Sequence, residues 1–114
     1  MKKTIIFLFS VVLGFCCSYL YEATNLENVT ITALEVNKTQ GNNLYIRNSI
    51  APTLAGCQTN ADWNLVLPLG SDLSNKVYEA LAAAKDSHSK LILSGAGSCD
   101  SSGVEIFSTF TLVQ

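Results

Sequence analysis

Four cysteines divide this 114-residue chain into two parts. Cys16 and Cys17 close an apolar run, and Cys57 and Cys99 stand alone further along the chain. Met1-Lys2-Lys3 is a short cationic start, and Ile5 to Phe15 is an apolar stretch too short to span a bilayer. Cys16-Cys17-Ser18 then supplies small residues, so 1–18 reads as a signal peptide of bacterial type. Cutting after Ser18 leaves Cys16 and Ser18 at the two positions a signal peptidase reads; the later alternative, after Ala23, puts bulky Tyr21 at one of them. Phe15 before Cys16 does not fit the small residue that lipid attachment needs, and the remaining alternative is an uncleaved anchor. The expectation is a secreted or periplasmic domain, 19–114, with no stable membrane insertion once the leader is gone.

A single domain of this size buries barely enough apolar surface to be stable by itself, so an additional source of stability is expected. Cys57 and Cys99 are that source: two distant thiols in an oxidising compartment pair, and a bridge closing about 42 residues contributes roughly 4 kcal/mol in the chain-entropy account. Metal ligation and thiol exchange are the alternatives, but the chain has no C-x-x-C spacing and His88 is its one histidine. No metal or other cofactor is expected.

Charge excludes one class of partner. Loss of Lys2 and Lys3 takes the basic residues from seven to five, against nine acids, and the five are scattered singly. Binding a polyanion requires clustered cations that displace counterions, so nucleic acid is not an expected partner.

The periodicity predicts five strands and a helix. Val29 to Val36 is rich in β-branched residues and reads as a first strand; Asn37 to Asn43 offers amides and a glycine for a turn. Leu44 to Ser49 alternates as a second strand, with Tyr45 and Arg47 on its outward face. Ala51 to Ala61 is a connection carrying Cys57, and Trp63 to Leu67 is a third strand stopped by Pro68 and Gly70. Ser71 or Asp72 caps a helix in which Leu73, Val77, Leu81 and Ala84 share a face, ending near Asp86 to Ser89. A fourth strand begins at Leu91, Gly95 to Gly103 reads as a loop, and Val104 to Val113 is a last strand with Ile106, Ser108, Phe110 and Leu112 facing one way. The order β-β-β-α-β-β is that of the OB-fold, a five-stranded, partly open barrel with one helix between strands 3 and 4. A two-layer α+β sheet uses the same string.

Catalytic residues are not evident. His88 sits in a polar helix end without an orienting carboxylate and nucleophile, and Gly95-Ala96-Gly97 lacks the Lys-Ser/Thr pair and the helix start of a phosphate loop. A non-enzymatic recognition role is the expectation. Its candidate ligand residues are Tyr45, Arg47 and Trp63, with Asn42 and Asn43 from the amide-rich turn, because OB-folds bind ligands on the second and third strands and nearby loops. Trp63 suits a sugar ring, although a tryptophan opening a short strand in a small domain is more often a core residue.

The leader, two strands, the Gly56-Cys57 connection ahead of Trp63, the helix containing Tyr78, and the Ser98-Cys99 segment together resemble the exported B subunits of pentameric bacterial toxins, of the subtilase-cytotoxin and pertussis-like type. That resemblance covers about Val29 to Leu112 and implies a glycan-binding module assembled as a pentamer. The second reading is a small periplasmic structural or inhibitor-type protein whose ligand is another protein.

Overall fold

The computed structural model describes residues 23–37 and 42–113. The expected signal peptide, 1–18, and most of the expected first turn lie outside them. Six strands and one helix follow in order: β1 (Asn25–Val29), β2 (Ile31–Asn37), β3 (Asn43–Asn48), β4 (Leu65–Pro68), α1 (Asp72–Ser87), β5 (Leu91–Cys99) and β6 (Glu105–Leu112). The strands form one mixed sheet in the order β1-β5-β6-β4-β3-β2, antiparallel throughout except for β4 beside β6.

The expected first strand is thus two. It starts four residues earlier, at Asn25, and divides at Thr30. Asn28 has φ 55°, a left-handed conformation that asparagine tolerates better than most residues, and the register with β5 shifts between Leu26 and Val29. β1 and β2 occupy opposite ends of the strand order, yet only Thr30 separates them. The sheet must therefore curl until its two ends meet there. Ser49 ties the corner, its N–H donating to Thr30 O (2.9 Å) and its Oγ accepting from Thr30 N (3.2 Å).

Period-two patterning builds the main core. Leu44 and Ile46 on β3, Leu65 and Leu67 on β4, and Leu91 and Leu93 on β5 turn inward beside Val29 and Ile31. Leu81 and Ala84 of α1 are buried in the same cluster, with Val77 packed against it. Each fully buried leucine or isoleucine contributes roughly 1.5–3 kcal/mol. Leu73, expected on this helix face, lies exposed in the first turn, before the helix reaches the core. Ser71 caps that turn in a reciprocal box with Ser74, and His88 ends the helix in a left-handed conformation, its N–H bonded to the last-turn carbonyls. His88 is exposed there.

Two expectations about the C-terminal strands are corrected. Gly95 to Cys99, expected as loop, belongs to β5, and only 100–104 forms the turn. Strict alternation along β6 also fails. Ser94 pairs with Thr109 and Gly95 with Phe107, so Ser108 is an extra residue in the ladder. The bulge inverts parity beyond it: Phe107 and Phe110 both pack on the main core, their ring centroids 6.2 Å apart.

The disulfide is formed between Cys57 and Cys99, whose Cα atoms are 5.8 Å apart, and joins the β3–β4 connection to the end of β5. Among the described residues no helix is long and apolar enough to cross a membrane.

Candidate functional site

The face of the sheet opposite α1 is not bare. Tyr45 on β3, Val66 on β4 and Val104 form a second buried cluster, with Trp63 and Ile106 packed against it. Tyr45, expected to point into solvent, is 3% exposed. The reason is the cover provided by the 49–64 connection and the 100–104 turn. Its ring lies 5.9 Å from Trp63, and its hydroxyl donates to Asp100 Oδ2 (3.0 Å) beside Ser102 Oγ (3.2 Å).

Asp100 organises that turn. Its Oδ1 accepts from Ser102 N (3.0 Å), Ser102 Oγ (2.7 Å) and Val104 N (3.1 Å). Partial burial pushes the carboxyl up, but the donors from Ser102, Val104 and Tyr45 outweigh it and hold Asp100 below its ordinary value. A depressed folded pKa stabilises the protein above the unfolded value, and that contribution is lost as pH falls through the folded one. Asp100→Asn is accordingly expected to lower Tm at pH 7 and to flatten part of the acid-induced loss below about pH 4, as read from melting curves across the acid range.

Outside this cluster the chain shapes an open groove of about 330 Å³, walled by Arg47, Asn48, Ile50, Pro52, Ala61 and Asp62. Arg47 lies with its guanidinium carbon 4.6 Å from the Trp63 ring centroid, and its Nε donates to Asp62 O (2.7 Å). Cation–π stacking and that bond together fix a long side chain that would otherwise be free. Trp63 is itself held: Asn60 Oδ1 accepts from the Asp62 and Trp63 N–H groups (2.8 and 3.2 Å), and Gln58 Nε2 donates to the Asn60 and Trp63 carbonyls (2.7 and 3.0 Å).

Asn48 forms the floor. It is 5% exposed, and its Oδ1 accepts from Ile50 N (2.9 Å), which fixes which end of the amide is nitrogen. Its backbone N–H donates to Asn64 Oδ1 (3.0 Å), and Asn64 Nδ2 donates to Ile50 O (2.9 Å). Asn48 Nδ2 is buried and has no acceptor among the described residues. A buried amide donor left unpaired costs about 1–3 kcal/mol.

Of the residues expected to bind ligand, then, Arg47 and Trp63 come together, while Tyr45 supports them from beneath. Asn42 and Asn43 do not join them. Asn43 opens β3 at its other end, four residues and roughly 13 Å from Arg47, and Asn42 just precedes it, at φ 59° with its carbonyl accepting from Leu69 N (2.9 Å). Sequence reasoning misses Asn48 because nothing local marks it; its partners are Ile50 and Asn64, and the latter is known only once β3 and β4 are paired. Asp62, in sequence an isolated carboxylate, joins the groove wall through the same pairing. Among the described residues no three histidine, cysteine or acidic side chains gather as metal ligands do.

The groove thus combines a fixed cation and one carboxylate with a buried, unpaired amide in its floor, and no known protein family, curated protein or solved structure matches the chain that carries it.

Proposed function

We propose that this chain is an exported, non-enzymatic recognition domain built as an OB-like barrel, and that the Arg47–Asn48 groove binds a glycan. The barrel reading is supported by topology. Taken as one long strand bent at Thr30, 25–37 would be the first of five strands in the cyclic order 1-4-5-3-2-1, with the third and fifth parallel and the helix between the third and fourth. The ligand reading rests above all on Asn48: a buried amide donor without a protein acceptor, on the wall of an open groove. A sugar supplies hydroxyl and ring oxygens as acceptors for Asn48 and Arg47, hydroxyl donors for Asp62, and C–H groups for Ile50 and Pro52.

The test is a glycan array followed by titration of the best binder. Arg47→Ala is expected to reduce affinity about tenfold or more, the scale of a lost charged hydrogen bond. Asn48→Asp keeps the acceptor for Ile50 N and removes the donor, so it is expected to abolish binding with the fold retained by circular dichroism. An array without ligands, or binding indifferent to both substitutions, would exclude the reading. The likeness to toxin B subunits adds an expected assembly of five copies, which native mass spectrometry reads directly.

One observation favours a protein ligand instead. Ile50 and Leu54, on the connection bordering the groove, are 45% and 58% exposed, and apolar side chains on a tethered loop suit a protein surface. Leu54→Asp, outside the groove wall, would then abolish capture of the target and leave glycan titrations unmoved.

A further inference from the structure

Glu105 opens β6 and is 6% exposed. Its carboxylate accepts from Thr24 N (3.1 Å), from the Thr24 hydroxyl and from Gly97 N (2.9 Å). Its own N–H donates to Gln58 Oε1 (2.8 Å). The donors to its carboxylate are two backbone amides and a hydroxyl, with no cationic side chain among them. A small cavity of about 20 Å³ adjoins it, and its other polar walls are Thr24, Thr53, Gln58 and Asn64, none of them charged. Taking an ionised carboxylate out of water costs several kcal/mol, and neutral donors offset this less well than a cation does.

Thr24 is equally unusual. Ala23 is exposed, but Thr24 is half-buried, and each of its polar groups is engaged: N and Oγ1 with Glu105, and O with Gly95 N (2.9 Å). β1 begins at the next residue. A peptidase needs its substrate backbone free and extended; Ala23 is exposed, whereas Thr24 is held, so trimming that reaches Ala23 stops at Thr24.

We propose that Thr24 is the first residue of the finished protein and that its α-ammonium is the buried partner of Glu105. Hydrolysis of the Ala23–Thr24 bond by an envelope peptidase consumes one water and releases a carboxylate on Ala23 and an amino group on Thr24, which takes up a proton. The nitrogen already 3.1 Å from Oε2 then becomes a cation, and a hydrogen bond from a neutral amide becomes an ion pair. Tyr21 is bulky for the position a leader peptidase reads, so a cut after Ser18 followed by trimming reaches the same end. Processing would thereby lock the N-terminal edge of the sheet onto β6.

The first measurement is N-terminal sequencing and intact mass of the full chain exported from a bacterial host. Thr24 as first residue is expected; any other first residue overturns the proposal. The second is Tm against pH for wild type and Glu105→Gln. The carboxylate raises the ammonium pKa above its unpaired value of about 7.7–8.0, so the stabilisation is complete below that range and is lost as pH rises through the folded value. Wild type is expected to lose Tm between about pH 8 and 10 while Glu105→Gln stays flat. Parallel profiles would overturn the pairing. If Glu105→Gln fails to fold, acetylation of the wild-type α-amine near neutral pH decides: about tenfold slower reaction in the folded than in the denatured protein supports the pair, and equal rates exclude it.

Discussion

Replacing Cys57 and Cys99 together by serine is expected to remove about 3–4 kcal/mol of stability and to lower Tm by roughly 15–25 °C. The closed segment spans 42 positions, and releasing it returns that loop's entropy to the unfolded chain. Location magnifies the effect. The bridge holds the β3–β4 connection, which has no strand or helix of its own between Asn48 and Leu65. Besides the bridge, the middle of that connection is fastened to the β5–β6 end of the sheet by Thr59 and Asn60 N–H groups on Gly103 O (2.9 and 3.2 Å) and by Gln58 on Glu105 N, while Ser49, Asp62 and Asn64 tie its two ends to Thr30 and β3. Ile50, Pro52, Ala61 and Asp62, most of the groove wall, ride on it. Reduction should therefore weaken ligand binding under milder conditions than it unfolds the sheet, and titrations with and without reductant, alongside calorimetry, would show the two transitions separate. Coincident loss of binding and sheet would show that the connection is secured without the disulfide.

The elements legible in the sequence are those written in local code. A cap at Ser71 or Asp72 with Val77, Leu81 and Ala84 on one face, and an end near Asp86 to Ser89, brackets the observed α1, because a cap and a 3.6-residue period are properties of one segment. Leu44 and Ile46 likewise announce their inward face. The failures concern properties of two segments. Alternation assigns Tyr45 to solvent, since one face of a strand must oppose the core, but it carries no information on whether a distant turn at Asp100 closes over the other face. The bulge at Ser108 depends on the partner strand and inverts the faces of Phe107 and Phe110 relative to a simple count. In the groove, Arg47 and Trp63 can be nominated because stacking residues are conspicuous in any sequence. Asn48 cannot, since an asparagine at a strand end ordinarily signals a turn, and its unpaired donor exists only in the folded arrangement.

Gly95 shows why composition misleads most at the end of β5, and it gives the second large expected effect. Three glycines within 95–103 suggest turn chemistry, yet Gly95 sits inside a strand at a negative-φ position that other residues adopt freely. What excludes a side chain is Glu105. A Cβ added at Gly95 would overlap Glu105 Cδ and Oε2 and approach its Cγ to 2.8 Å, well inside van der Waals contact. The carboxylate cannot simply swing aside, because leaving its place strands the Thr24 and Gly97 N–H groups and exposes the end of β1 to fraying. Gly95→Ala is therefore expected to cost about 2–4 kcal/mol, the combined scale of overpacking and a lost buried hydrogen-bond set, measured by urea unfolding. Glu105→Ala on its own should also destabilise, by emptying the same site. The decisive result is their combination: with Glu105 truncated, the methyl group introduced at position 95 has room, and the double variant should be more stable than the sum of the two losses by about 1 kcal/mol or more, the coupling expected of touching residues. Additive losses would mean that the glycine is needed for the bulged path of β5 itself, and that the carboxylate only occupies space the strand leaves open.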